Sequence, residues 1–243
     1  MSGTETVSTP PCGILASQPG RIPRIGYVGA GTTPQSCPVV GAFRQGLQEY
    51  GLVEGRDVEV EYRLAALQVE RYPALIDELV DLGVDVLVVA DSVAIPVAKQ
   101  ATSTIPVVMS VVGDPVGEGL VQSLERPGGN LTGMTNLARA LTGRRLELLQ
   151  AVVPALTHVA VLWNDEHPGV QGTWKETERT AAARGLEVVS LAVRRAEDFP
   201  RLFATAAREG AQALLVLTDR LTTFHRQWIG ALALDYRLPG MYG

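Results

Sequence analysis

Small polar residues recur where apolar runs of this chain end, and they are the groups most able to do chemistry. Gly29-Ala30-Gly31-Thr32-Thr33-Pro34-Gln35-Ser36 follows one such run, Ala90-Asp91-Ser92-Val93-Ala94 a second and Gly113-Asp114-Pro115 a third. Later in the chain Asn164-Asp165 and Thr218-Asp219 stand in the same position. Hydroxyls of Thr32, Thr33, Ser36 and Ser92, with free backbone N–H groups beside them, suit a carboxylate or another anion. Asp114, Asp165 and Asp219 can accept hydrogen bonds from an ammonium. Together they suit a zwitterion such as an amino acid. Ordinary helix capping explains each residue singly. Only their shared location, where ligands of open parallel sheets bind, gives them a functional reading as a group.

Other chemistries fit less well. Gly29-Ala30-Gly31 opens like a dinucleotide loop, but Pro34 stands where the third glycine is needed. The chain has no Gly-Lys-Ser/Thr phosphate loop and no Gly-x-Ser-x-Gly elbow. His158 begins an apolar run and reads as structural. His167 and His225 lie near strand-end loops, without a Ser or Cys nucleophile adjacent in sequence. Lys99 reads as a solvated helix residue, and Trp163 as lining either the core or a cleft. Cys12 and Cys37 lack metal-ligand spacing, so neither a metal nor a cofactor is expected. An enzyme would have to work through Asp114 or His167, and nothing else in the sequence asks for one.

The elements that must position these residues alternate. Strands are expected at Arg24–Gly29, Asp57–Tyr62, Asp85–Ala90 and Ile105–Met109. Between them Val39, Phe43, Leu47 and Tyr50 recur at helical spacing, as do Tyr72, Leu75, Ile76, Leu79 and Val80; Ala94–Ala101 forms a third helix. The second half predicts strands at Val159–Trp163, Leu186–Leu191 and Ala213–Leu217. Helices are expected at Gly172–Arg184, Asp198–Glu209 and Leu221–Tyr236, the last carrying Phe224, Trp228 and Leu232 on one face. This is an α/β pattern with parallel sheets covered by helices.

The halves also match each other. Tyr72-Pro73 corresponds to Phe199-Pro200, Gly83 to Gly210 and Leu87-Val88-Val89 to Leu214-Leu215-Val216, all at one offset. Gly55 pairs with Gly185 and Ile105-Pro106 with Leu238-Pro239 at slightly different offsets. Two similar α/β lobes imply a cleft between them, where pockets favour forming. The expected division is a flexible tail over 1–22, a first lobe over 23–136 and a second over 137–243. The first lobe continues past its fourth strand through Asp114–Gly133. The second stops just after the matching strand begins, so by symmetry it is expected to be C-terminally incomplete.

The 243 residues are 46% hydrophobic and 19% charged, with a net charge of −5. Lys and Arg are scattered and aromatics make up 5%, which argues against nucleic acid as a partner. No apolar run approaches the ~20 residues that span a bilayer. The first residues lack a basic segment followed by an apolar one, so they do not read as a secretion signal.

Ser110–Asn136, SVVGDPVGEGLVQSLERPGGNLTGMTN, carries a resemblance to a known family. Asp114-Pro115-Val116, Gly119-Leu120-Val121 and Arg126-Pro127-Gly128-Gly129-Asn130 with Thr132-Gly133 resemble ABC-transporter substrate-binding proteins of the tryptophan/tyrosine type. Ala98–Thr102 with Thr104-Ile105-Pro106, Leu146–Leu149, Val161–Asn164 and His225-Arg226 through Arg237-Leu238-Pro239 to Tyr242-Gly243 extend the likeness along nearly all of Ile25–Gly243. The resemblance implies a periplasmic-binding-protein fold whose lobes close on a small molecule, an amino acid or an aromatic one among them, and present it to an ABC permease. It implies a periplasmic or cell-surface location, no cofactor and no catalysis. Carried over by position, the contacts would be Gly31, Thr32, Ser36, Ser92, Val93 and Asp114 in the first lobe, and Asn164, Asp165 and Asp219 in the second. Family members usually have Gly where Asp91 stands and Pro where Val93 stands, and a carboxylate at Asp91 would disfavour a ligand anion. The alternative is a cytoplasmic effector-sensing domain of the same fold. Within the shared segment, Pro127 is expected to end a short helix over Gly119–Glu125, and Gly128-Gly129 to turn the chain into a strand over Asn130–Thr135.

Overall fold

The computed structural model describes residues 21–35 and 38–242, without the side chains of Pro38 and Val111. Cys12, Ser36, Cys37 and most of the expected tail lie outside the described residues.

Two parallel sheets organise the chain. The first contains β1 (Arg24–Gly29), β2 (Glu59–Leu64), β3 (Val86–Val89), β4 (Val107–Val112) and β5 (Leu131–Thr135), in the order β2-β1-β3-β4-β5. The second contains β6 (His158–Asn164), β7 (Glu187–Val193), β8 (Ala213–Val216) and β9 (Gly240–Tyr242), in the order β7-β6-β8-β9. The repeat read from the sequence is thus a repeat of topology. β1 and β6 take equivalent central places, each flanked by the next two strands of its own half.

The helices repeat too. α1 (Pro38–Glu49), α2 (Tyr72–Asp81) and α3 (Ala94–Ala101) belong to the first sheet. α4 (Thr142–Val152), α5 (Pro168–Ala183), α6 (Phe199–Arg208), α7 (Arg220–Phe224) and α8 (Arg226–Asp235) belong to the second. α2 and α6 both follow a single 3-10 turn and carry proline in the first helical turn, where its missing N–H costs nothing. Gly83 and Gly210, just beyond these helices, have φ of 67° and 72°, the left-handed conformation that closes a helix C-terminus. Pro106 and Pro239 also match, since their carbonyls accept from the N–H groups of Leu87 and Leu214, each at 2.9 Å.

Burial follows the strand alternation. Ala160, Leu162, Leu214 and Val216 face α6 and α8, while Val159, Val161, Ala213 and Leu215 face the opposite way among residues of α4 and α5. Both faces are apolar, as sheets covered on two sides require. In the first sheet Val28, Leu87, Val89, Val107 and Met109 pack under α2 and α3.

Several expectations are corrected. Gly119–Glu125 forms no helix. Gly119 has φ of 67°, and the Leu120 N–H turns back to the Pro115 carbonyl at 2.9 Å, so a chain of turns buries Leu120 and Val121. The stretch Leu221–Tyr236 is two helices broken at His225. The break puts Ile229 and Ala233 on the sheet and leaves Phe224 66% exposed. Among the described side chains of α1 the fully buried one is Val40, whereas Val39 is half-exposed and Tyr50 lies beyond the helix in solvent. Lys99 is not free in solvent: its ammonium donates to the carbonyls of Gly119 and Leu120 at 2.6 and 3.1 Å. Trp163 belongs to the core, stacked on Trp174 with ring centroids 4.3 Å apart and its indole N–H on Ser190 Oγ at 3.0 Å.

The segment that carries the family likeness works as architecture in Arg126–Gly133. Asn130 Nδ2 donates to the carbonyls of Thr102 and Ile105 at 3.0 and 2.8 Å, tying β5 to the loop that enters β4. At Gly133 a Cβ would stand 2.1 Å from the Met109 carbonyl oxygen, so only glycine lets β5 lie this close to β4.

Candidate functional site

A cavity of about 750 Å³ opens at the carboxyl ends of both sheets and takes its walls from both halves. The loop after β1 supplies Gly29, Ala30, Gly31 and Thr32; the turn after β3 supplies Ala90, Asp91 and Ser92. From the second half come His167 and Gly169 at the start of α5, and Leu217, Thr218, Asp219 and Arg220 after β8. Val39, Leu67, Val170 and Phe224 add apolar wall.

Backbone hydrogen bonds hold the β1 loop open. Leu67 and Ala66 N–H donate to the carbonyls of Ala30 and Gly31, both at 2.9 Å. Ala66 and Leu67 adopt φ of 52° and 66° to do so. Left-handed backbone at two consecutive non-glycine residues is strain of the kind that collects at functional sites, and here it places Leu67 on the cavity wall.

Asp91 organises the turn after β3. Its side chain is 4% exposed. Oδ2 accepts from the Tyr72 hydroxyl at 2.6 Å, Oδ1 from the Val93 N–H at 3.0 Å, and the Arg220 guanidinium of the opposite lobe stands 3.7 Å from Oδ2. The departure from the family's usual glycine therefore serves an internal polar network. Arg220 offsets the repulsion that Asp91 would offer a ligand anion. Burial and the adjacent Asp91 push the Tyr72 hydroxyl far above its ordinary range. A second contact crosses the cleft nearby, Ser92 Oγ to His167 Nε2 at 3.2 Å. Burial lowers the His167 pKa despite the nearby charges of Asp219 and Asp91, so its imidazole is held neutral.

After β8, Asp219 caps α7. Its Oδ1 accepts from the Thr222 N–H at 2.7 Å and its Oδ2 from Asn164 Nδ2 at 2.7 Å, while Thr222 Oγ1 receives the Asp219 N–H at 3.0 Å.

The structure brings together Gly31, Thr32, Ser92 and Asp219 on the cavity wall; Ser36 lies outside the described residues, and Val93, Asn164, Asp165 and Asp114 are not among the lining residues. Val93 lies behind Ser92, with its N–H already on Asp91. Asn164 supports Asp219 from below. Asp165 pairs with Arg194 at 2.8 Å, which holds its carboxyl below the usual carboxylate range. Asp114 pairs with Arg139 at 2.9 Å in a separate, smaller cavity. Sequence reasoning missed Leu67, Glu118 and Arg220. The sequence offered one signal for Arg220, its place directly after a strand-end Thr-Asp, and one for Glu118, its place between two glycines ahead of a buried Leu-Val.

Comparisons with known proteins agree with this architecture. Residues 34–241 match the family described as ABC transporter substrate binding protein. The chain belongs to that family. It is 23% identical over 197 residues to a tyrosine-binding protein of Clostridioides difficile (strain R20291), covering 81% of this chain. It spans 56% of the length of that relative. It superposes with a TM-score of 0.77 on an ABC domain in complex with L-Trp from Streptococcus pneumonia, at 22% identity, covering 92% of this chain and 74% of the other. With a solute-binding protein of R. palustris in complex with 4-hydroxybenzoate the TM-score is 0.64 at 20% identity, covering 90% and 61%. These likenesses establish the fold, α/β with two lobes of parallel sheet in the periplasmic-binding-protein arrangement. Among the described residues no helix is long and apolar enough to cross a membrane.

Proposed function

We propose that this substrate-binding protein is the extracytoplasmic component of an ABC importer. It takes one small carboxylate-bearing molecule, an amino acid with an aromatic or other apolar side chain, between lobes that divide after Asn136. The observation that carries the reading is the lining of the interlobe cavity. Arg220 Nη1 and Thr218 Oγ1 are buried there without a hydrogen-bond partner, in the cavity that Gly31 and Thr32 of the first lobe also line. Buried polar atoms are normally satisfied, and a ligand carboxylate in this place would satisfy them. Val39, Leu67 and Phe224 then receive an apolar body. Asp219 and Ser92 serve as walls whose own hydrogen bonds fix the geometry, and Val93, Asn164, Asp165 and Asp114 act from behind or beside the site. A membrane permease is the partner that would receive the solute.

Thermal unfolding against a panel of L-amino acids and small carboxylic acids tests this. A ligand that binds only the folded state raises the melting temperature with concentration. The expected outcome is a saturable shift with one molecule per chain; no shift with any member of the panel contradicts the reading.

A further inference from the structure

Three acidic side chains line the interlobe cavity, and they are not equivalent. Asp91 gives its oxygens to Tyr72, Val93 and Arg220. Asp219 gives its oxygens to Thr222 and Asn164. Glu118 Oε1 is buried without any hydrogen-bond partner, and no Lys or Arg forms an ion pair with this side chain among the described residues.

The backbone beneath Glu118 is held on both sides. Its own N–H donates to the Asp114 carbonyl at 2.9 Å, and Lys99 grips the carbonyls of Gly119 and Leu120. The side chain reaches from the first lobe to the start of α5 in the second. Oε1 lies 3.2 Å from the place a Cβ on Gly169 would occupy, and His167 Cε1 stands at the same distance. His167 offers no internal solution: its Nδ1 is also without a partner, so the two side chains do not bond, and burial keeps the ring uncharged. Burial likewise raises the Glu118 carboxyl above its usual range; the Asp114 backbone works against this and the Asp114 charge adds to it. That is the condition of a carboxylate lacking a counter-charge. Elsewhere on the cavity wall, Arg220 Nη1 lacks a hydrogen bond as well.

We infer that Glu118 receives the ammonium group of the ligand, so that the cleft selects α-amino acids over carboxylic acids of the same shape that lack the amine. This rests on the reading that the cleft holds the ligand. A charge-assisted N–H···O bond is the strongest contact a ligand could offer this oxygen. An amine-free acid would leave Oε1 as it stands and bring a second negative charge toward it.

Isothermal titration with matched pairs tests the inference. The pairs are L-tyrosine with 3-(4-hydroxyphenyl)propanoate, L-tryptophan with indole-3-propanoate, and L-leucine with 4-methylpentanoate. The wild-type chain should bind at least one of the amino acids about tenfold to a hundredfold tighter than its partner acid, the range expected for one charged hydrogen bond. Glu118→Gln, which keeps size and shape, should weaken the amino acid by a similar factor, leave the amine-free acid nearly unchanged and unfold at or above the wild-type temperature. Equal or tighter binding of the amine-free acids by wild type overturns the inference while leaving the cleft reading intact. So does a Glu118→Gln chain that keeps the full preference. If no member of any pair binds wild type, the cleft reading fails and the inference with it.

Discussion

Tyr72 and Phe199 occupy matching places, fully buried at the first residue of α2 and α6, and the strand-end turns of the two lobes differ. In the first lobe the turn presents Asp91, which takes the Tyr72 hydroxyl and reaches across to Arg220. In the second the matching residue is Thr218, whose hydroxyl is buried without a hydrogen-bond partner on the cavity wall. One helix-and-strand frame thus ends in two ways. The first lobe closes its strand end into an internal network, and the second leaves polar atoms unmatched. A binding cleft needs both, a rigid wall and groups that only a ligand completes.

Substitutions at matched positions sharpen or break this comparison. The frame itself should respond alike in both lobes. Phe203→Ala should cost about 4 kcal/mol and Ile76→Ala about 3 kcal/mol, both being core truncations, as read from chemical denaturation. If one lobe proves insensitive, the two frames are not equivalent. The turns should respond differently. Asp91→Ala strands the buried Tyr72 hydroxyl and Arg220, and should cost about 3 kcal/mol; Thr218→Ala should stay within about 1 kcal/mol. Combining Asp91→Ala with Tyr72→Phe should cost less than the sum of the two, because they share one hydrogen bond. Gly83→Ala and Gly210→Ala should each cost about 1 kcal/mol through left-handed backbone strain alone, since no atom stands within 4 Å of the added Cβ at either place.

The smallest expected effect is a pH dependence. Burial holds the folded-state pKa of His167 below its ordinary 6.5. The unfolded chain therefore takes up a proton before the folded one does. The stability this side chain supports is complete above about pH 7 and is lost as pH falls through 6.5 toward the lowered folded value. Glu118 works in the opposite sense: its folded carboxyl protonates first, so its contribution falls as pH rises from the ordinary 4.5 through the raised value. Melting temperatures from pH 4 to 8 for wild type, His167→Asn and Glu118→Gln should separate the two, each variant removing one slope.

The repeat was legible because backbone geometry wrote it into prolines and glycines. Pro73 with Pro200 and Gly83 with Gly210 mark helix beginnings and ends, where few residues serve. Most strands were legible from apolar runs, while β2 was legible from alternation and β5 from the Pro-Gly-Gly turn before it. The helix expected at Gly119–Glu125 failed because its apolar residues are buried from turns, a burial that periodicity does not distinguish. The break at His225 was hidden for a related reason: Leu221, Phe224, Trp228 and Leu232 keep helical spacing across it. Among the expected contacts, Gly31, Thr32, Ser92 and Asp219 line the cavity because strand ends bring them there. Asp114 and Asp165 share that location, but Arg139 and Arg194 pair with them, and no spacing rule announces those distant arginines. Leu67 reaches the cavity through two left-handed residues, which an ordinary Ala-Leu pair does not advertise.

The central claim is that a ligand lies between the lobes and completes the groups that the second lobe leaves unmatched. A crystal structure grown with whichever amino acid raises the melting temperature most tests it directly. The account predicts one molecule between the Gly31–Thr32 backbone and Arg220, with its carboxylate within hydrogen-bond distance of Arg220 Nη1 and Thr218 Oγ1. A ligand seated in the smaller cavity beside Asp114 and Arg139, or elsewhere on the surface, would contradict it.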